Sequence, residues 1–240
     1  MIIEIVSNDQ RYLEVDRLFR VSGCDSKICK PSEVNEPDKL ILSVRNELSD
    51  EKLRTVFQRV KSSTKVFSGN TENVKKYFGG DIYDYSKNEY FLSENAFLTA
   101  EATVSYLHSL TGKGAKGQKF FISGYGRIGK SLSKILSMLG GEVFVYARRE
   151  AVQREIVNDG HYFVPLEFAP NADVIINTVP SVIFKGELID EIPKDATIIE
   201  LASVCGFERE ERVNFALGLP GKILPKSAGK VIFDTVKNLL

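Results

Sequence analysis

Six consecutive residues constrain this chain most: Gly124-Tyr125-Gly126-Arg127-Ile128-Gly129. An apolar run, Lys119–Ser123, precedes them and reads as a strand. After them Ile128, Leu132, Ile135, Leu136 and Leu139 fall at i, i+4, i+7, i+8 and i+11, one face of a helix. Gly140-Gly141 ends that helix, because glycine takes the left-handed cap position without steric penalty. Residues 143–146 then read as a second strand. A G-x-G-x-x-G turn between a strand and a helix, with another strand within about 30 residues, is the context that marks a dinucleotide cradle. Gly124 permits the tight turn, Gly126 lets a pyrophosphate approach the backbone, and Gly129 lets helix and strand pack closely. The first helical turn, with Arg127 and Ile128, offers unpaired N–H groups and a positive dipole end to the phosphates. The plain alternative is a glycine turn that binds nothing.

The residue that grips an NAD ribose is absent. A carboxylate at the end of the second strand accepts hydrogen bonds from the ribose 2′-OH. Here that position reads Tyr146-Ala147-Arg148-Arg149. Guanidinium groups pair with a 2′-phosphate that a carboxylate would repel. Arg148 and Arg149 therefore predict NADP as cofactor, against the alternative of a solvated basic turn facing Glu150. Carboxyl ends of strands line the ligand crevice of a doubly wound sheet. Asn177, Thr178, Val179 and Pro180, after the apolar run 172–177, are expected to flank the cofactor. Ala202, Ser203 and Cys205, after the run 196–201, are expected near the nicotinamide.

Strand and helix patterns alternate along the whole chain, which predicts an α/β architecture with mostly parallel sheets. Strands are expected at 2–6, 39–44, 64–68, 119–123, 143–146, 161–164, 172–177, 196–201 and 213–217. Helices are expected around Tyr12, Val15, Leu18 and Phe19, then over 51–60, 150–158 and 227–239. Residues 70–92 are polar, rich in tyrosine and weakly patterned. Ser93 is a candidate cap for a helix carrying Ala96, Leu98, Ala102, Val104 and Leu107. Gly112, Gly114 and Gly117 then break the pattern. The resulting division is a smaller N-terminal α/β domain (1–95), a connecting helix and glycine loop (96–117), and a Rossmann-type doubly wound domain with a final helix (118–240).

Composition excludes several roles. With 32 basic and 32 acidic residues the net charge is zero, which argues against a general binder of nucleic acid or membrane surfaces. No stretch approaches the roughly 18 apolar residues that span a bilayer. The opening "MIIEIVSND" lacks the basic start and long apolar run of a signal peptide, so a cytoplasmic protein is expected. Three cysteines, Cys24, Cys29 and Cys205, are a poor disulfide set. Cys24 and Cys29 have no second Cys/His pair nearby, so no metal site is expected. Neither histidine pairs recognisably with Cys205, which gives it no nucleophilic role, and His161 is given none.

Seven stretches, in order, resemble the dipicolinate synthase family, in the first of that enzyme's two subunits: "FSGN" (67–70), "TAEATVSYLHS" (99–109), "GYGRIGKSL" (124–132), "GGEVFVYARR" (140–149), "DVIINTVPS" (173–181), "IIELAS" (198–203) and "LGLPGKILPKSAGKVI" (217–232). The last is the most specific, because generic Rossmann proteins lack it. The likeness is strong over 95–240 and collinear over 1–95. It implies an NADP-dependent oxidoreductase that converts dihydrodipicolinate to pyridine-2,6-dicarboxylate in an interdomain cleft. It also implies a flavoprotein-like second subunit, a branch from the lysine pathway and a place in sporulation. The final helix is implied to return toward the first domain, and further copies of the chain are expected as partners. The N-terminal half is shorter than in the family. After "ELAS" the family has a Pro-Gly-Gly turn, and this chain reads Val204-Cys205-Gly206.

Such a reaction moves a hydride and a proton, and its substrate is a small dicarboxylate dianion that needs cations or helix N-termini. Lys226 and Ser227 are candidates for one carboxylate, with Arg11 or Arg45 from the first domain. Glu101 and His108 share one helix face, seven residues apart, and either is a candidate proton acceptor. The plain alternatives are a surface histidine and an exposed acid near the helix start. Two rival functions remain: an enzyme like the 2-hydroxyacid dehydrogenases acting on another small acid, and a non-catalytic NADP-binding protein. The first commonly uses an arginine after the fifth strand and a Glu/His pair, and "ELASVCGF" contains no arginine.

Overall fold

A computed structural model describes residues 1–209 and 211–240. The chain forms two compact units, residues 1–95 together with 220–240, and residues 96–219. The final helix thus groups with the first unit and not with residues 118–219.

The first unit begins with β1 (Ile2–Val6), whose residues 3–6 are all buried. α1 (Arg11–Val21) follows and buries Tyr12, Val15 and Phe19. β2 (Asp25–Ile28) is an edge strand that the apolar pattern did not mark. Lys27 in β2 pairs with Glu4 of β1 at 2.8 Å, so its polarity serves the neighbouring strand. β3 (Lys39–Leu42), α2 (Asp50–Phe57) and β4 (Lys65–Ser68) fall where expected. Ser49 caps α2, its Oγ accepting from the Lys52 amide at 3.4 Å. The weakly patterned stretch holds α3 (Thr71–Lys75) and β5 (Ile82–Asp84). The five strands are parallel in the order β2-β1-β3-β4-β5, so the winding reverses between β1 and β3.

α4 (Glu89–Thr111) starts earlier than expected. Ser93 lies inside it, and the cap is Asn88, whose Oδ1 accepts from the amides of Tyr90 and Phe91 at 3.0 and 3.3 Å. The extra turn holds Phe91 edge-on to the buried Tyr85, with ring centroids 5.9 Å apart.

The second unit carries β6 (Lys119–Ser123), α5 (Arg127–Met138), β7 (Glu142–Tyr146), α6 (Glu150–Asn158) and β8 (Tyr162–Phe163). β9 (Val174–Asn177), the short α7 (Glu187–Asp190), β10 (Thr197–Glu200) and β11 (Val213–Phe215) complete it. Gly140 ends α5 at φ +84°, as the sequence suggested. The sheet is parallel in the order β11-β10-β9-β6-β7-β8 and reverses between β6 and β9, a doubly wound Rossmann arrangement.

α8 (Leu219–Ile223) and α9 (Pro225–Asn238) close the chain. α9 packs along α1, with Phe233 edge-on to Phe19 at 4.7 Å. The approach is close enough that a Cβ on Gly229 would lie 2.4 Å from the Arg11 carbonyl oxygen. Packing on α1 therefore accounts for this glycine of the segment 218–230.

Candidate functional site

The glycine turn sits at the carboxyl end of β6, beside the loop after β9, where the order of the second sheet reverses. Its three glycines answer to different demands. Gly124 has φ +95°, and a Cβ there would meet Thr178 Oγ1 at 2.4 Å. A Cβ on Gly129 would lie 2.2 Å from the Gly124 carbonyl oxygen. Gly126 differs: its backbone (φ −82°, ψ −167°) suits any residue, and an added Cβ meets no protein atom within 4 Å. The fold requires the first and third glycines. The second leaves an open cradle at the N-terminus of the twelve-residue α5, which fits a phosphate-bearing ligand held by backbone amides.

A cavity of about 230 Å³ adjoins this cradle. Among the expected residues it gathers Gly124, Gly126, Arg148, Arg149 and Val179. Tyr146, Ser181 and Ile183 also line it, and Ser181 and Ile183 were not singled out from sequence. Arg148 and Arg149 are exposed, and their guanidinium groups form no hydrogen bond or ion pair among the described residues. Glu150 pairs with Arg154 at 3.0 Å, so the basic turn is not neutralised by its neighbour.

Other expected residues lie elsewhere. Arg127 is exposed at the start of α5, and Ile128 and Gly129 lie in its first turn. Thr178 faces the glycine turn, but its Oγ1 donates to the Ser123 carbonyl at 2.8 Å and braces the loop. Pro180 is exposed. Asn177, expected to flank the cofactor, is fully buried, and its side chain is engaged within the fold. Its Oδ1 accepts from Ser123 Oγ at 2.5 Å and from the Val179 amide at 3.1 Å. Its Nδ2 donates to the Val179 carbonyl at 3.0 Å and to both carboxylate oxygens of Glu200 at 2.9 Å.

Glu200, missed in the sequence, is the centre of this network and is itself fully buried. Its oxygens accept from the amides of Ala202 at 2.8 Å and Gly206 at 2.7 Å. Burial lifts its carboxyl above the ordinary value, and hydrogen bonds from Gly206, Asn177, Ala202 and Cys205 pull it part of the way back. Ala202 and Cys205 thus belong to a loop that Glu200 clamps. Gly206 is needed there, because a Cβ would lie 2.3 Å from Asn177 Nδ2. Buried acids that accept several backbone N–H bonds fix loops in place. The Val204-Cys205-Gly206 turn is therefore a held structure, with Val204 exposed.

The catalytic candidates divide between the units. Glu101 and His108 are exposed on the part of α4 that belongs to the second unit. Lys226 and Ser227 are exposed in the first turn of α9, in the first unit.

The chain is 24% identical to the first subunit of dipicolinate synthase from Bacillus subtilis (strain 168), over 99% of this chain and 95% of that protein. This chain is similar to dipicolinate synthase. The crystal structure of the corresponding dipicolinate synthase subunit from Bacillus halodurans shares its fold, with a TM-score of 0.82, 22% identity, and coverage of 99% and 97% of the two chains. A transhydrogenase from Sinorhizobium meliloti shares the fold more distantly, with a TM-score of 0.71, 15% identity, and coverage of 99% and 94%. Residues 93–203 match the family described as D-isomer specific 2-hydroxyacid dehydrogenase, NAD binding domain. These likenesses support an oxidoreductase built on a nicotinamide-dinucleotide-binding domain. No helix among the described residues is long and apolar enough to cross a membrane.

Proposed function

We propose that this chain is an NADP-dependent oxidoreductase of the dipicolinate synthase type, oxidising dihydrodipicolinate to pyridine-2,6-dicarboxylate. One observation carries the cofactor assignment: the cradle at Gly126 opens beside Arg148 and Arg149, two unpaired cations where an NAD site has an acid. Bound there, the dinucleotide supplies the hydride acceptor. The backbone amides of α5's first turn hold the pyrophosphate, and the two guanidinium groups hold the 2′-phosphate. The loop clamped by Glu200 keeps Ala202 and its neighbours in fixed positions on the same sheet end.

The chemistry asked of the remaining residues is modest. Aromatising a dihydropyridine removes one hydride and one proton, and Glu101 or His108 takes the proton. Lys226 and Ser227, at the start of α9, hold a carboxylate through charge and helix N-terminal amides. A flavoprotein-like second subunit is proposed as a partner on the likeness to dipicolinate synthase, and assembly of further copies is retained with it. The decisive assay supplies freshly generated dihydrodipicolinate and NADP and follows dipicolinate absorbance, with and without a candidate flavoprotein-like partner. Formation of NADPH and dipicolinate together is expected. Neither product under either condition overturns the reading.

The match of residues 93–203 favours a second reading, a dehydrogenase of another small 2-hydroxy acid. NADPH formation from D-lactate or D-glycerate, with none from dihydrodipicolinate, selects it. Cofactor binding without turnover of any of these substrates selects a non-catalytic protein.

A further inference from the structure

The first unit has its own reversal point, between β1 and β3, and a cavity of about 430 Å³ lies there. Open parallel sheets bind ligands outside the carboxyl ends of their strands at such points, and the volume suits a small molecule. Asp9, Arg11, Arg45, Glu47 and Lys52 line it. These five side chains do not balance. Arg11 is committed to Asp9, with Nε 3.0 Å from both carboxylate oxygens and Nη2 2.6 Å from one. Glu47 and Lys52 offset each other in charge. Arg45 is the surplus cation, and its guanidinium forms no hydrogen bond or ion pair among the described residues.

The loop carrying Arg45 is rigidly backed. The Val44 amide donates to the buried Tyr12 hydroxyl at 2.8 Å, which shares a 2.5 Å hydrogen bond with the Tyr85 hydroxyl. Gly69 presses so close that a Cβ there would overlap the Val44 carbonyl oxygen at 1.6 Å. Asn46 holds φ +35°, and its buried side chain leaves Oδ1 and Nδ2 without partners. Backbone strain and orphaned buried polar atoms persist where the surroundings impose a conformation, and they cluster at ligand sites. Burial raises the Asp9 carboxyl, but hydrogen bonds and charge from Arg11, and charge from Arg45, bring it below the ordinary value. Asp9 therefore stays ionised and keeps Arg11 engaged.

We propose that this pocket is a carboxylate-binding subsite in which Arg45 grips one carboxylate of a small dicarboxylate through its planar fork. The dicarboxylate class rests on the function proposed above; the anion site rests on the geometry alone. The test is calorimetric titration of the full chain and its Arg45→Ala and Arg45→Lys variants with pyridine-2,6-dicarboxylate, malonate and inorganic phosphate. Wild type is expected to bind pyridine-2,6-dicarboxylate. Arg45→Ala should weaken it by about 10-fold or more, with Arg45→Lys restoring only part. The Tm should change little, because the guanidinium forms no hydrogen bond or ion pair among the described residues and acts on Asp9 only through charge. Equal binding by Arg45→Ala overturns the subsite. Phosphate binding as tight as either dicarboxylate also overturns it, in favour of a general anion patch. Arg45-dependent binding of malonate without pyridine-2,6-dicarboxylate upholds the subsite and overturns the substrate named above.

Discussion

At the scale of single residues, the glycine turn separates requirements of the fold from requirements of a ligand. Gly129→Ala forces a Cβ against the Gly124 carbonyl oxygen at 2.2 Å. It should lower Tm clearly, as overpacking by one methyl costs about 1–3 kcal/mol. Gly126→Ala meets no protein atom, so its Tm should match wild type while NADPH affinity falls by an order of magnitude or more. Thermal melts and NADPH fluorescence titration read both effects, and a stable Gly126→Ala that binds normally removes the cradle from the site. Arg148→Ala should weaken NADPH about 10- to 100-fold, as one charge-assisted contact is worth about 1.5–3 kcal/mol, and leave NADH unchanged. Equal loss for both cofactors would sink the 2′-phosphate assignment. Residue identity alone brought out Gly124, Gly126, Arg148 and Arg149, which line one cavity, because their placement depends on turn geometry within one strand-turn-helix stretch. The opposite holds for Asn177 and Glu200. Their partners lie across the sheet, and nothing in "IINT" or "IIEL" announces that the two side chains meet.

At the scale of elements, the loop after β10 depends on one carboxylate. Glu200→Gln turns an acceptor into a donor against Asn177, Ala202 or Gly206, and should destabilise the protein by about 1–3 kcal/mol. Its pH dependence has a definite sign. A carboxyl raised by burial binds its proton more tightly when folded than when unfolded. Its stabilising contribution is full below the ordinary glutamate range and declines as pH rises through the raised value. Glu200→Gln should lack that declining step in a plot of Tm against pH, and a plot parallel to wild type would refute the assignment. Elements with strong apolar period were legible, such as α5 and α6. β2 was not, because its exposed Lys27 serves a buried acid on β1. Ser93 looked like a cap, yet Asn88 does that work because α4 extends to seat Phe91 against Tyr85.

At the scale of the molecule, two parallel sheets each carry a cavity at their reversal points. A ligand that binds only the folded state stabilises it by mass action, about 2.7 kcal/mol at 100 times its Kd. Saturating NADPH should therefore raise Tm, and NADH at the same concentration should raise it less. Equal shifts would argue against NADP preference. The fold class was readable because alternating strand and helix patterns persist throughout. The resemblance implied that the final helix returns toward the first domain, and residues 220–240 do belong to the first unit; composition alone did not show it, and Gly229 gives the physical reason once α1 is seen against α9.

That membership bears on how the chain is made. Domains generally fold as they emerge during synthesis, N-terminal parts first. Here residues 96–219 are translated as one uninterrupted block, whereas the face of α1 stays uncovered until the ribosome has delivered the last helix. The first unit therefore closes only through contacts between segments far apart in sequence, whereas the second is built from one continuous segment.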